Sequence, residues 1–276
     1  MENNKSKLTG KPLNQIIMPG SHDSGTYAIN CKSKLTPDTP SIAAIVPCIV
    51  ASVAKCQKFN IIEQLDFGVR FFDLRISEKK NEQWFVHGMY SVKLSDAFAN
   101  FSQWLNTHPY EIVILLASFV NMTPNLTDLI NLVGQEKIAS YPELTPTSII
   151  DDFWKANKNC IIIDNNANSS NVWSNSVINN QWPNRQDAYS LKTWLDNNLP
   201  TTYDNNLSVA QVICTPSTGT VLVGGVPSVF AKEINRLISD WFSDWTKKGK
   251  KLNIINLDYV GIAPEILSEI IKLNQN

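Results

Sequence analysis

The stretch Ile16-Ile-Met-Pro-Gly-Ser-His-Asp-Ser-Gly-Thr26 decides the fold and the position of the functional site. The apolar segment Leu13–Met18 predicts a buried first strand, which stops at Pro19-Gly20. A turn of small residues then presents His22 and Asp23. Functional side chains of an α/β barrel lie at the carboxyl ends of its strands. The stretch therefore predicts one part of a site at the mouth of a barrel.

Apolar and amphipathic segments alternate along the chain, which is typical of a parallel sheet covered by helices. The later predicted strands are Val69–Ile76, Trp84–His87, Glu111–Ser118, Asn159–Asp164, Leu207–Cys214 and Leu252–Asp258. The predicted helices include Ser95–Thr107, Leu126–Val133, Leu191–Asn198 and Phe230–Lys247. A barrel of this class needs about 250 residues. The 276 residues therefore predict one slightly irregular TIM-type (β/α) barrel over residues 1–276, with its active site at the carboxyl-terminal mouth.

Charge and hydropathy exclude several partners. The chain has 24 Lys and Arg against 25 Asp and Glu, so its net charge of -1 does not favour nucleic acid. No run approaches the roughly 18 apolar residues of a membrane span. The polar first residues lack the apolar core of a secretory signal peptide. We expect a monomer that is cytoplasmic or is exported without a signal peptide.

The five cysteines contain no Cys-x-x-Cys pair. Their odd number favours buried thiols in a reducing compartment. Cys31, Cys48 and Cys56 lie close together in the sequence, which leaves a disulfide in that region as an alternative.

Polar side chains recur where the predicted strands end. Asp73 and Arg75 share one face of their strand, because alternate residues of a strand point the same way. His87 ends the next predicted strand. Asp258 ends the last strand, which in a closed barrel lies beside the first and so beside His22. The sequence thus predicts that all five side chains meet at the mouth.

These residue types suit chemistry at a phosphodiester. Two histidines divide general base and general acid work between them. A carboxylate behind a histidine fixes its tautomer, and an arginine offers a planar fork of donors to a phosphate. The set contains no metal-binding cluster. It predicts phosphodiester cleavage by an internal hydroxyl, without a metal or another cofactor.

Each residue also has a structural interpretation when taken alone. A histidine in a strand is more often structural than catalytic, Arg75 suits an ordinary ion pair, and Asp258 suits a helix cap. Two of the three histidines end predicted strands, which favours the catalytic interpretation for them. His108 precedes a strand, on the stability face of a barrel, and is predicted to be structural.

Three motifs together resemble the X domain of phosphatidylinositol-specific phospholipase C. They are Met18-Pro-Gly-Ser-His-Asp-Ser-Gly-Thr26, Gly68-Val-Arg-Phe-Phe-Asp-Leu-Arg75 and Phe85-Val-His-Gly88. The resemblance covers essentially the whole chain, and most strongly residues 13–118. It implies a TIM-type barrel that cleaves the glycerophosphate bond with the inositol 2-hydroxyl. The products would be diacylglycerol and a cyclic inositol phosphate.

The resemblance also implies a role for each matching residue. His22 resembles the general base, supported by Asp258. His87 resembles the general acid, supported by Asp23. Arg75 resembles the phosphate-binding residue. In the same network, Asp73 would orient the neighbouring groups.

The inositol-binding positions match the family less well. Asp187 and Tyr189, in Gln186-Asp-Ala-Tyr189, resemble residues that contact the inositol ring. The secreted bacterial enzymes place a Lys and an Arg after strands four and five, where this chain has Ser118 and Asn165. These two positions are predicted to contact the head group, whose identity the substitutions put in doubt.

The expectation of a metal-independent, bacterial-type enzyme comes from two positions. The eukaryotic signalling branch binds Ca²⁺ with an Asn beside the first histidine and with nearby carboxylates. Asp23 and Arg75 stand at two of those positions here. A cation next to Arg75 would be repelled.

Two other functions remain alternatives to this one. A glycerophosphodiester or sphingomyelin phosphodiesterase would need a Glu-x-Asp pair for Mg²⁺ soon after the first histidine, and no such pair follows His22. A catalytically silent lipid- or protein-binding module would explain the missing basic inositol contacts.

A phospholipid substrate requires contact with a membrane surface, for which two features are candidates. The apolar segment Ile42–Ala54 either faces the membrane or forms a core helix of the barrel wall. Trp173 and Trp182 lie in a predicted exposed loop, and tryptophan suits the head-group region. Because the net charge is near zero, peripheral binding should depend weakly on anionic lipid.

Overall fold

The fold is built on one curved sheet, which a computed structural model describes for residues 5–166 and 172–275. The strands in chain order are β1 (Met18–Ser21), β2 (Phe71–Lys79), β3 (Glu82–Val86), β4 (Tyr90–Lys93), β5 (Val113–Phe119), β6 (Cys160–Asp164), β7 (Trp173–Ser174), β8 (Ile178–Asn179), β9 (Leu207–Gln211) and β10 (Ile254–Leu257). Eight of them lie side by side in the order β7-β6-β5-β2-β1-β10-β9-β8. Every pairing along this order is parallel.

The two ends of this order are consecutive in the sequence. Only the 3-10 turn Asn175–Val177 separates β7 from β8, so it carries the chain from one end of the sheet to the other. β7 and β8 have two residues each and no α-helix between them, which makes the barrel irregular. The predicted TIM-type barrel with slight irregularity is confirmed. β3 and β4 form an antiparallel extension of β2 outside the barrel.

The described residues form α-helices around the sheet. They are α1 (Lys5–Leu8), α2 (Pro47–Ala54), α3 (Ile61–Asp66), α4 (Leu94–Phe98), α5 (Phe101–Thr107), α6 (Thr127–Val133), α7 (Ile150–Lys155), α8 (Ala188–Asn198), α9 (Thr218–Leu222), α10 (Pro227–Lys247) and α11 (Pro264–Lys272). Those that share the outer apolar cluster are α3, α4, α5, α6, α8, α10 and α11. In α10, Phe230, Ile234, Ile238 and Trp245 are buried at helical spacing, which fixes the face that packs on the sheet. In the described parts of the chain, no helix is long and apolar enough to cross a membrane.

Successive side chains of β2 point alternately into two apolar cores, one on each face of the strand. Phe72 and Leu74 belong to the apolar cluster that the outer helices share, whereas Phe71 belongs to the cluster inside the barrel. Asp73 and Arg75 follow Phe71 on the inner face, because side chains of a strand alternate. Their shared face, predicted from the sequence, is therefore the barrel lumen.

The lumen changes from apolar to polar along the strands. Its lower part is filled by Met18, Phe71, Ile114, Ile161, Val209 and Ile254. Towards the carboxyl ends, the same inward faces carry His22, Arg75, Ser118, Gln211, Asn256 and Asp258. A packed apolar floor thus supports a polar mouth.

The first strand lies later than predicted. Leu13–Gln15 is a 3-10 turn, and β1 runs through Pro19-Gly20 instead of stopping there. Gly20 fits because a Cβ would lie only 3.0 Å from a ring carbon of Phe71 and from the side-chain oxygen of Asn256. Close approach of the neighbouring strands, rather than a turn, explains this glycine.

The segment Ile42–Ala54 is a short 3-10 turn, Ser41–Ile45, followed by α2. Only its last turn is covered, where Ala51 and Ala54 pack in a small separate cluster. Most of its large apolar side chains are exposed. It is therefore not a core helix of the barrel wall.

A disulfide joins Cys31 to Cys48. The prediction of buried thiols is therefore wrong for these two residues, and the alternative of a disulfide in this region is correct. Cys56, Cys160 and Cys214 are buried free thiols. The disulfide fixes the start of α2 to the loop that follows the His22 turn.

The turn after β1 depends on a glycine for packing. A Cβ at Gly25 would overlap the Phe85 ring of β3. We expect Gly25→Ala to reduce the free energy of unfolding by about 2 kcal/mol or more, as overpacking does. Gly219→Ala is the control, because its nearest new neighbour would be the Ser217 hydroxyl at 3.8 Å. Denaturant unfolding of both variants tests this, and equal stabilities would contradict the steric explanation.

Candidate active site

His22 and Asp258 meet because their strands are neighbours. β1 pairs with β10 up to Ser21 and Leu257, and both side chains follow directly. Nδ1 of His22 lies 2.8 Å from Oδ1 of Asp258, and both residues are buried. An Nδ1–H that donates to the carboxylate leaves Nε2 to face the mouth.

Asp23 is the centre of the cluster. Its Oδ1 lies 2.6 Å from Nε of Arg75, while its Oδ2 lies 3.3 Å from Nε2 of His22 and 3.1 Å from Nδ1 of His87. Its φ of 43° is in the left-handed region, which Asp tolerates better than most residues. A strained backbone is thus retained where one carboxylate contacts three cationic or titratable groups.

Asp73 and Arg75 approach His22 from β2. Nη2 of Arg75 is 3.4 Å from Nε2 of His22, and Oδ2 of Asp73 is 4.0 Å from the same nitrogen. Nε2 of His22 therefore has a neighbour in either protonation state. The neutral ring accepts from Arg75, and the charged ring donates to Asp23.

His87 reaches the mouth by a route that the sequence did not predict. β3 is not a further barrel strand, because it runs antiparallel to β2 outside the barrel. Since Ile76 pairs with Phe85, two more steps bring His87 back beside Leu74, at the level of the cluster. Its Nδ1 also lies 2.9 Å from the carbonyl oxygen of Ala54, at the end of α2. The ring centroids of His87 and His22 are 6.3 Å apart.

The cluster shifts the pKa values of its members. Burial alone would lower the pKa of His22, but the carboxylates of Asp23, Asp258 and Asp73 outweigh it and raise this pKa to about 9. Burial would raise the pKa of Asp23, but His22, His87 and Arg75 outweigh it and lower this pKa to about 2. Burial and the charge of Asp23 raise the pKa of Asp73. At neutral pH, the ligand-free site thus contains ionised Asp23 and protonated His22.

A cavity of about 350 Å³ opens above the cluster. Trp182 forms part of its wall, with its ring 5.1 Å from that of His22 and its Nε1 donating to Thr215. Thr215 and Cys56 also line it and were not predicted. Thr215 follows β9, so the rule that strand ends line the mouth would have found it. No comparable sequence pattern identifies Cys56.

The thiol of Cys56 is also a candidate metal ligand. The described residues contain one group of candidate donors within 4.8 Å of one another, namely His22, Asp23 and Cys56.

The residues predicted to bind the head group have different locations. Ser118 is the cross-strand neighbour of Arg75, and its hydroxyl lies 2.9 Å from Nδ2 of Asn165. Asp187 and Tyr189 do not line the described cavity. The Asp187 carboxylate instead caps α8 through Ser190, and Tyr189 is 84% exposed.

The prediction that Trp173 contacts a membrane is wrong. Its exposed fraction is 0%. It lies on β7, beside β6, and packs near Phe153 and Tyr141. The polar sequence around it suggested an exposed loop, but pairing with β6 brings the indole into the core. Trp182 is 40% exposed, at the cavity wall.

Curated proteins of similar sequence share one description. PI-PLC X domain-containing protein 3 of Danio rerio is 27% identical over 97% of this chain and 90% of its own length. PI-PLC X domain-containing protein 1 of Danio rerio is 28% identical over 96% of this chain and 92% of its own. The chain thus resembles PI-PLC X domain-containing proteins along nearly its whole length. No family model matches it.

Solved structures of bacterial proteins share the fold of this chain. Phosphatidylinositol-specific phospholipase C from Listeria monocytogenes superposes with a TM-score of 0.71 at 18% identity and covers 99% of both chains. The enzyme of the same name from S. aureus gives a TM-score of 0.70 at 20% identity over 99% of this chain and 96% of that one. These similarities show that the barrel is shared over its full extent.

The raised pKa of His22 links this residue to stability. A folded-state pKa of about 9 against an ordinary 6.5 stabilises the fold fully below pH 6.5, and this stabilisation is lost as pH rises through 9. Its size is on the order of 3 kcal/mol. We expect the unfolding free energy to fall more steeply between about pH 6 and about pH 9.5 in the parent than in His22→Gln. Denaturant titrations at both pH values measure this, and parallel slopes would exclude the linkage.

Proposed function

We propose that the chain cleaves phosphatidylinositol, or a related phospholipid, by a phospholipase C-type reaction. An inositol 2-hydroxyl would attack phosphorus, and diacylglycerol would leave from a cyclic inositol phosphate. The observation that carries this proposal is that two histidines and an arginine all contact the carboxylate of Asp23 at the mouth. The X-domain relatives supply the substrate class, and the geometry supports the type of chemistry.

His22 is the proposed general base. In its neutral form, Nδ1–H donates to Asp258 and the Nε2 lone pair is directed at the mouth. It takes the proton of the attacking hydroxyl as the new oxygen–phosphorus bond forms. Because the pKa of His22 is about 9, the ring must first lose a proton at neutral pH. Asp73, 4.0 Å from Nε2 and with its own pKa raised, is a suitable acceptor.

His87 is the proposed general acid. Its Nδ1 is held by the Ala54 carbonyl and by Asp23, which leaves Nε2 for the substrate. As the bond from phosphorus to the glycerol oxygen breaks, Nε2 of the charged ring protonates the leaving oxygen. Asp23, whose Oδ2 lies 3.1 Å from Nδ1, orients the ring for this transfer.

Arg75 is the proposed phosphate ligand. Its Nε is bound to Asp23, which orients the guanidinium, and its side chain is partly exposed in the cavity. Donors held in place before the reaction stabilise developing charge without reorganisation. This arrangement supplies the charge stabilisation that a metal ion would otherwise give, so we propose metal-independent activity.

The histidines give the most direct test. In the presence of EDTA, we expect His22→Ala and His87→Ala each to lower kcat by about a hundredfold or more on a soluble short-chain phosphatidylinositol. His108→Ala is the matched control, because that ring stacks on Trp104, 4.1 Å between centroids, and lies outside the cluster. Near-normal turnover of either active-site variant would contradict the two-histidine mechanism.

A substrate panel separates the alternatives. It contains phosphatidylinositol, its phosphorylated and glycosylated forms, sphingomyelin and phosphatidylcholine. Preference for sphingomyelin would favour the second enzyme class. A folded protein that binds these lipids but cleaves none would favour a silent binding module.

We also propose that the mouth contacts the membrane through exposed apolar side chains. Val53 of α2 and Pro227 of α10 both line the cavity, so the segments beside them border the mouth. The exposed apolar residues of these segments are Ile42, Ile45, Val46, Ile49, Leu222, Val223 and Val229. They replace Trp173 as candidates. Trp182, as part of the cavity wall, is expected to influence turnover as well.

Vesicle sedimentation tests this surface. We expect Ile45→Ser combined with Leu222→Ser to weaken binding to phosphatidylinositol-containing vesicles, because both side chains are largely exposed beside the mouth. Cleavage of the soluble substrate should persist. Leu237→Ser, at a partly exposed leucine further along α10, is the control. Unchanged vesicle binding in the double variant would remove these segments from the proposal.

A further inference from the structure

One buried side chain in the cluster has no part in the proposed reaction. The Cys56 thiol lies 3.7 Å from Oδ2 of Asp23 and 3.6 Å from Nδ1 of His87. The hydroxyl of Thr26, in the turn after β1, accepts a hydrogen bond from the Cys56 backbone N–H and fixes this position. The residue is 1% exposed and forms part of the cavity lining.

The spacing of three donor atoms suits a small tetrahedral ion. Nε2 of His22 lies 3.3 Å from Oδ2 of Asp23, which lies 3.7 Å from Sγ of Cys56. Bonds of zinc to nitrogen, oxygen and sulfur of about 2.0–2.3 Å place tetrahedral ligands about 3.3–3.6 Å apart. All three donors lie within 4.8 Å of one another, so they are close enough to bind one ion together.

The surroundings of the donors fit the same ion. Asp258 bonds to Nδ1 of His22, which selects the tautomer with a free Nε2 and is the usual outer partner of a zinc-bound histidine. Arg75 repels a cation here, since its Nη2 lies 3.4 Å from Nε2 of His22. The carboxylates of Asp23, Asp73 and Asp258, together with the Cys56 thiolate that forms on binding, outweigh this single guanidinium charge. One thiol, one imidazole and one carboxylate suit a thiophilic ion and not Ca²⁺ or Mg²⁺, which prefer oxygen ligands.

We propose that His22, Asp23 and Cys56 form an inhibitory site for Zn²⁺. Binding forms bonds from zinc to Nε2 of His22, to the Asp23 carboxylate and to Sγ of Cys56, and it releases both the Nε2 proton of His22 and the thiol proton of Cys56 to solvent. The ion occupies the Nε2 lone pair that would accept the substrate proton. The inhibitory effect rests on the proposed function, whereas binding itself does not. The protein is therefore expected to be active in EDTA, which keeps this site empty, and to be inhibited by zinc, which fills it.

Cobalt binding tests the site without turnover. Co²⁺ added to the purified, disulfide-intact protein should give a thiolate-to-cobalt charge-transfer band, and Zn²⁺ should abolish it by displacement. Cys56→Ser should lose the band. Cys214→Ser should keep it, because Cys214 lines the same cavity but is not in the donor group. Absence of the band in the folded parent protein, or its persistence in Cys56→Ser, would overturn the proposal.

Inhibition is measured separately on the soluble substrate. We expect Cys56→Ser to raise the Zn²⁺ concentration for half-inhibition by about 100-fold, since even changes around a ligand cost 10–100-fold in affinity. Cys214→Ser should match the parent, and thermal melts establish that both variants are folded. Equal zinc sensitivity of Cys56→Ser and the parent would reject the inhibitory role. A cobalt band that is present in the parent and lost in Cys56→Ser, combined with no activity of the parent on any lipid, would leave the metal site in place and reject the proposed function alone.

Discussion

The carboxylate of Asp23 connects the two histidines and the arginine at the mouth of the barrel. It is buried, it forms an ion pair with Arg75, and it lies within 3.3 Å of a nitrogen of both His22 and His87. A charge removed from water in this way is tolerable only when it is paired and hydrogen-bonded. The two histidines and the arginine therefore hold Asp23 in its ionised form, and Asp23 in turn fixes their orientation.

The barrel makes this polar cluster possible by separating it from the apolar floor. Residues such as Phe71 and Ile254 fill the lower lumen, while the next inward positions of the same strands are polar. Neighbouring parallel strands in register bring those positions to one level. The floor excludes water from below, so charged groups above it interact more strongly than they would in solvent.

The segment from Cys31 to Ala54 connects the edge of the mouth with the reaction centre. Val53 of this segment lines the cavity, and the disulfide between Cys31 and Cys48 fixes the start of α2. The carbonyl of Ala54 at the other end of α2 holds Nδ1 of His87. The same short helix thus positions both the proposed membrane surface and the proposed general acid.

The local sequence pattern by itself determined those features of the site that follow from strand geometry. Apolar alternation along β2 set Asp73 and Arg75 on one face, and closure of a parallel barrel set Asp258 beside His22, because first and last strands must then be neighbours. Only the tertiary structure decided the rest. A strand pairing buried Trp173, although its polar neighbours in sequence suggested exposure. The hairpin returned His87 to the mouth, and packing of α2 brought Cys56 against Asp23. These contacts join segments far apart in the chain, and their geometry depends on how whole elements pack, which no local periodicity records.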